Sequence, residues 1–408
     1  MASSTTLSVE NKELDFPDFR CRSRFTLPKG TQDYRSWFPP HMAAGINIMN
    51  ARLRKTDLVI EVRDARIPFT CRNPKFDAKI FPLRPRVLVL NKADLIDDKH
   101  RGPVEEALCD EYGLSREQIL WCSVKYKPAD AVRPLLRACL AELGRANRYN
   151  RAHVTSYTLM VVGMPNVGKS SVINAFRNVH MRKAGKVAAV GARPGVTVKV
   201  MEKIKVNERP PIYVLDTPGI LMPDFGNVEK GMKLALCDSV LSTRISPQMG
   251  ADFLLYSLNK ARHFAYVREF RLGAPLDCVQ LLLNKICQDR QLTMSVVVPG
   301  SGRSVVWNYE QAAQQFLDFY RNSATTGDQF ADSDMLDQIT SRRSGDGCGR
   351  SVRRAHFVDA VDERCGARPA FHAVPSARQT DVRGVPRPVK NACSIDCVWQ
   401  SVELMRTR

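Results

Sequence analysis

Five short apolar runs recur in the first half of the chain, at residues 58–62, 86–90, 119–122, 159–162 and 212–215. Each is followed by a polar or glycine-marked turn and a stretch of helix length. Continuous Val, Leu and Ile runs of this length predict strands buried on both faces, and helices between them predict a mostly parallel sheet covered on both sides. The expected fold is a doubly wound α/β domain over residues 36–225. Past Pro223 the spacing of apolar residues changes to three and four, at 228–240, 251–270, 277–288 and 309–321. That period predicts a small, mainly helical domain over residues 226–322. From 323 to 408 the period disappears among Ser, Gly, Arg and Pro, and a disordered tail is expected. Residues 1–35 are expected to be a flexible N-terminal segment.

At 408 residues the chain is longer than one core normally supports. It has no run of about 18 uncharged apolar residues, so no transmembrane segment is expected. The formal charge is +19, with net +1 on residues 1–30 and +3 on residues 331–408, which leaves +15 on residues 31–330. A basic excess carried by folded sequence points to a phosphate-rich partner, RNA before an acidic membrane surface. The twelve cysteines are dispersed, without a CxxC pair. They read as reduced thiols rather than as a zinc site. Glu10, Glu13, Asp15 and Asp18 precede the first arginine, Arg20, so no Arg-rich, acid-poor transit peptide is visible.

The chemistry lies in the turns after the runs. Gly163-Met-Pro-Asn166-Val167-Gly168-Lys169-Ser170 follows one run and opens a helical stretch, matching the phosphate-loop pattern throughout. In such a loop backbone N–H groups surround the α- and β-phosphates, Lys169 neutralises the β/γ oxygens and Ser170 binds Mg²⁺. Ser171 belongs to the same nucleotide-binding set. Asn91-Lys92-Ala93-Asp94 follows the run at 86–90. A carboxylate at Asp94 accepts from both the ring N–H and the exocyclic amine of guanine. Adenine lacks that donor pair, which makes GTP the expected nucleotide. Lys92 is expected along the base plane, Asn91 as a tie between neighbouring loops, and Ser123-Val-Lys125 as the second guanine-side loop. Asp216-Thr-Pro-Gly219 ends the last run, placing Asp216 to hold the Mg²⁺ water shell and the Gly219 amide to meet the γ-phosphate. Thr197, between these motifs, is the expected switch threonine on the metal.

The order of motifs is unusual, because Asn91 precedes Gly163 by 72 residues. A cut-and-rejoin of closely spaced termini can preserve an α/β sheet. In this order the Asp216–Gly219 switch becomes the last element of the G domain, so its movement passes directly into the helical domain.

With Trp37-Phe-Pro-Pro-His41-Met42, Asp64-Ala-Arg66-Ile-Pro68 and Arg72-Asn-Pro74 added, the chain resembles the circularly permuted GTPases of large-ribosomal-subunit assembly over residues 36–322. Gly231-Met-Lys-Leu-Ala-Leu-Cys237 is most similar to their mitochondrial ribosome-associated branch. The resemblance implies GTP-gated docking of a monomer on the maturing large ribosomal subunit, its rRNA and proteins, with hydrolysis as the release step. It also implies a mitochondrial matrix location peripheral to the inner membrane. A GTP-gated RNA scaffold and a nucleolar or cytosolic GTPase are the alternatives. Small GTPases place a water-orienting glutamine after the DxxG glycine, but this chain has Ile220, so intrinsic turnover is expected to be slow. The resemblance assigns catalysis to His41, in a segment where Pro40 replaces the family's glycine, and gives Asn166 a K⁺-coordinating role. Asp64 and Arg66 read as an internal ion pair before an interaction surface.

Overall fold

In the computed structural model, residues 15–27, 49–146, 153–181, 203–220, 227–240, 245–298, 302–321 and 328–345 are described. The apolar runs become strands β1 (Leu58–Asp64), β2 (Arg86–Asn91), β3 (Ile119–Cys122), β4 (Tyr157–Val162) and β6 (Ile212–Asp216). Sheet order is β3-β2-β1-β4-β6-β5. All neighbours are parallel except β5 (Lys203–Asn207), which runs antiparallel to β6 at the edge. The sequence pattern did not predict β5. Its lysines alternate with buried Ile204 and Val206, giving a one-sided edge strand rather than a continuous apolar run.

The described helices of six or more residues within the sheet region are α1 (Pro74–Lys79), α2 (Arg101–Tyr112), α3 (Pro128–Arg145) and α4 (Lys169–Met181). Strand β2 shows how both faces are used. Val87 and Val89 pack in one cluster with Val132, Leu135 and Phe176, whereas Leu88 and Leu90 pack in another with Val104, Ala107 and Leu108.

The second region holds α5 (Val228–Leu236), α6 (Pro247–Lys260), α7 (Ala265–Glu269), α8 (Val279–Arg290) and α9 (Tyr309–Arg321). It also contains a hairpin of β7 (Thr293–Val298) and β8 (Gly302–Trp307), formed from a β-branched run that the helical reading passed over.

Parts of the two segments expected to lack structure, residues 15–27 and 328–345, are among the described residues. In residues 15–27, Phe25 is buried against Phe253, and the Arg22 guanidinium pairs with the Asp252 carboxylate at 2.5 Å. Residues 328–332 are followed by α10 (Ser333–Gly345), whose Leu336 joins the α2 side of the sheet core. Both segments are polar overall. They are fixed by a few inserted apolar side chains and long-range hydrogen bonds, which leave no local period to detect. One compact unit comprises residues 1–342; the second, residues 343–408, is described only for its first three residues, the end of α10.

Candidate nucleotide site

Parallel strands present their C-terminal ends to one edge of the sheet, where α/β proteins bind ligands. The turns after β1, β2, β3, β4 and β6 carry Asp64–Pro68, Asn91–Asp94, Ser123–Lys125, Gly163–Gly168 and Thr217–Ile220. Motifs far apart in sequence therefore meet at one edge.

At the base side Asn91 is buried and joins three loops. Its Nδ2 donates to the Val167 carbonyl at 2.9 Å, and its Oδ1 accepts from the Val124 amide at 3.5 Å. Gly168, at φ +98°, lets the phosphate loop pass so closely that a Cβ there would lie 2.3 Å from Asn91 Nδ2. Lys92 is left-handed, with φ 62°, and its Nζ lies 2.8 Å from Asp64 Oδ2. Asp64 is fully buried and also receives Arg66 Nη2 at 2.9 Å. Burial alone would raise its pKa, but Arg66 and Lys92 hold it well below the ordinary carboxylate range. The Ser123 carbonyl accepts from the Tyr126 and Lys127 amides, closing the turn that leads into α3. Asn91, Lys92, Asp94, Lys125, Asn166 and Ser171 line a cleft of about 880 Å³. Its wall also includes Asp318 and Arg321 from α9.

At the phosphate side Lys169 opens α4. Its buried Nζ donates to the Met164 carbonyl at 2.8 Å. Burial lowers its pKa to about 8, against the opposing influence of Asp216. Ser170 Oγ donates to Asp216 Oδ2 at 3.1 Å. Burial raises the Asp216 pKa, against Lys169 and the Ser170 hydroxyl. The other carboxylate oxygen, Oδ1, is buried without a hydrogen-bond partner. A hydroxyl beside a carboxylate oxygen in need of a donor suits a hydrated Mg²⁺, so the donor set fits the metal. Gly219 sits against the same loop, where a Cβ would lie 2.6 Å from Pro165 Cα and 3.0 Å from Lys169 Nζ.

Ile220 points into the core. It is fully buried, its amide donates to the Gly163 carbonyl at 3.3 Å and its carbonyl accepts from Asn73 Nδ2 at 3.4 Å. Asn73 also caps α1 through the Lys75 amide. The capping role of Asn73 is signalled in the sequence by an asparagine directly before the proline that opens a helix. Asp318 and Arg321 had no such signal, because they reach the cleft from the helical region. His41 and Thr197, expected as catalytic and metal-binding residues, lie outside the described residues.

The sheet and its loops define a P-loop G domain in which the guanine motif precedes the phosphate loop, a circularly permuted GTPase. Residues 158–270 match the family model "50S ribosome-binding GTPase". Mitochondrial ribosome-associated GTPase 1 of Mus musculus is 41% identical over 77% of this chain and 94% of its own length. The Bos taurus protein of the same name is 39% identical over 80% and 96%. Among solved structures, GNP-bound YlqF from T. maritima aligns with 70% of this chain and 95% of its own at 20% identity, with a TM-score of 0.44. The chain belongs to the mitochondrial ribosome-associated GTPase 1 family. Its activity is therefore GTP hydrolysis, and the location shared by these relatives is mitochondrial. Among the described residues no helix is long and apolar enough to cross a membrane.

Proposed function

We propose that this protein couples its GTP cycle to assembly of the large mitochondrial ribosomal subunit, binding the subunit in the GTP state and leaving after hydrolysis. The observation that carries the GTP part of this reading is Asn91, which joins the guanine turn, the Ser123–Lys125 turn and the phosphate loop in one hydrogen-bonded unit, while the subunit part follows from the names of the relatives. Asp94 then faces a cleft that also holds Lys125 and Asn166. The base contacts come from Asn91 to Asp94 with Ser123 and Lys125. Gly163, Asn166, Val167, Gly168, Lys169, Ser170 and Ser171 enclose the phosphates.

When bound, Mg²⁺ supplies charge neutralisation at the β- and γ-oxygens. Ser170, Asp216 and Thr197 would hold it. The Gly219 amide meets the γ-phosphate, and the buried Ile220 leaves water orientation to another segment. His41 is the residue we assign to that task. Asn166, left-handed in the loop at φ 58°, is the K⁺ ligand in this reading. The net charge of +15 on residues 31–330 favours rRNA as the surface engaged. The protein acts as a monomer in the matrix, at the periphery of the inner membrane.

The test is GTP hydrolysis by the purified chain, with and without large mitochondrial subunits, in K⁺ and in Na⁺. Stimulation by subunits, lost in His41→Ala, is the expected result. Tight GTP binding without stimulation would replace this reading with a GTP-gated scaffold. Equal rates in K⁺ and Na⁺ would remove the Asn166 assignment alone.

A further inference from the structure

The turn that presents Asp94 is held at both ends by a segment more than 230 residues away. On its far side, the Gln329 backbone N–H donates to the Leu95 carbonyl at 2.9 Å. Asp328 Oδ1 accepts from the Asp97 amide at 3.3 Å, while Oδ2 lies 2.6 Å from His100 Nε2. On its near side, Lys92 is held by Asp64, Asp64 by Arg66, and Arg66 Nη1 donates to Gln329 Oε1 at 3.3 Å. The Ala331 amide closes that path by donating to the Arg66 carbonyl at 2.9 Å. Ala93 and Asp94, between Lys92 and Leu95, are thereby suspended from two points of the same segment.

The segment is anchored beyond the turn. Asp332, fully buried, accepts from the Phe69 and Thr70 amides at 2.9 and 2.8 Å and from Thr70 Oγ1 at 2.6 Å. Lys233 of α5 bridges Asp332 and Asp334. Tyr320 of α9 donates its hydroxyl to the Gln329 carbonyl at 3.0 Å. One residue on, Arg321 lines the base side of the cleft. The segment thus connects the guanine turn to both the first and the last helix of the helical region.

We propose that residues 328–332 form a strap that positions the guanine turn and sets the rate of nucleotide release from its base end. This rests on the reading of the cleft as a guanine-nucleotide site. Asp328 and Gln329 are positioning residues: they act on the base through Leu95, Asp97 and the Arg66–Asp64–Lys92 chain. A load on the helical region reaches the base through Lys233 and Tyr320 when it shifts the strap.

The geometry requires a base-end effect, which separates it from a general loss of stability. GDP and GTP share the base and differ at the γ-phosphate, so loosening the strap accelerates release of both equally and without dependence on Mg²⁺. The experiment is stopped-flow release of fluorescent GDP and of a fluorescent non-hydrolysable GTP analogue from the full chain, with and without Mg²⁺, alongside thermal melting. Gln329→Ala, which removes the acceptor for Arg66 Nη1, and Asp328→Ala, at a part-buried position, are each expected to speed release of both nucleotides by about ten-fold, the scale of one lost hydrogen bond to a charged group. Asp328→Asn, which keeps an acceptor for the Asp97 amide, is expected to restore most of the slow release. Release unchanged in folded variants, or faster for the GTP analogue alone, would overturn the strap. Failure of the wild-type chain to bind either nucleotide would instead overturn the reading beneath it.

Discussion

Lys92 Nζ lies 2.8 Å from Oδ2 of Asp64, a carboxylate buried at the end of the central strand β1. The guanine motif thus rests on an internal charge network. The folded pKa of Asp64 is below its unfolded value near 3.8. Its contribution to stability is fully present above the unfolded pKa and is lost as pH falls through the acid range toward the folded value. Melting curves from pH 6 down to about pH 2 should show a limb falling below about pH 4 for the wild type and a flatter one for Asp64→Asn. At pH 7 that variant should be less stable by about 3–5 kcal/mol, because removing one partner strands buried positive charge.

Asn91→Ala should weaken GDP and GTP alike. The substitution frees the Val167 carbonyl and the Val124 amide, and each group left unsatisfied in a buried site costs about 1–3 kcal/mol. Nucleotide titrations should show affinity reduced by roughly ten- to hundred-fold for both ligands, by the usual conversion of free energy to binding. A loss confined to GTP would show that Asn91 does not act on the base side.

Asp94→Asn should change which base is bound rather than abolish binding. An amide at this position can donate where guanine carries its amine, and xanthine presents a carbonyl there. Competition between guanosine and xanthosine diphosphates should shift toward xanthosine by at least about ten-fold, as expected for a site built around paired polar groups. Unchanged preference would remove Asp94 from base recognition.

Ile220→Gln should not create a faster enzyme. The side chain points into the core, with the backbone held by Gly163 and Asn73, so the glutamine amide would enter an apolar site. Single-turnover hydrolysis should stay at or below the wild-type rate, and stability should fall by about 1–3 kcal/mol for an unpaired buried amide. A rise in rate would show that this residue can turn toward the nucleotide.

Gly168→Ala should abolish nucleotide binding while leaving a folded protein. At φ +98° an alanine is strained, and its Cβ would meet Asn91 Nδ2 at 2.3 Å, so the phosphate loop and the guanine turn must separate. Circular dichroism near the wild-type spectrum with no detectable nucleotide binding is the expected pair of results. Normal affinity would mean that the loops can part without harm.

The sequence alone determined the five parallel strands, the order of the motifs and the identity of the nucleotide. Each is legible from local sequence: the Val and Leu run of β2 has apolar residues at consecutive positions, and Gly168-Lys169-Ser170 and Asn91-Lys92-Ala93-Asp94 are recognised by residue type and spacing. The tertiary structure decided what those motifs lean on. Gln329 meets Leu95 across 234 residues, and Asp332 meets Thr70 across 262. Neither pairing has a period or a spacing rule, and both lie in sequence too polar to announce burial. Edge strand β5 and the Phe25 anchor escaped the pattern for a related reason: each buries only a few residues of one face. Hydrophobic periodicity reports how a segment faces the core, whereas a hydrogen bond between distant turns depends on the packed backbone that brings them together.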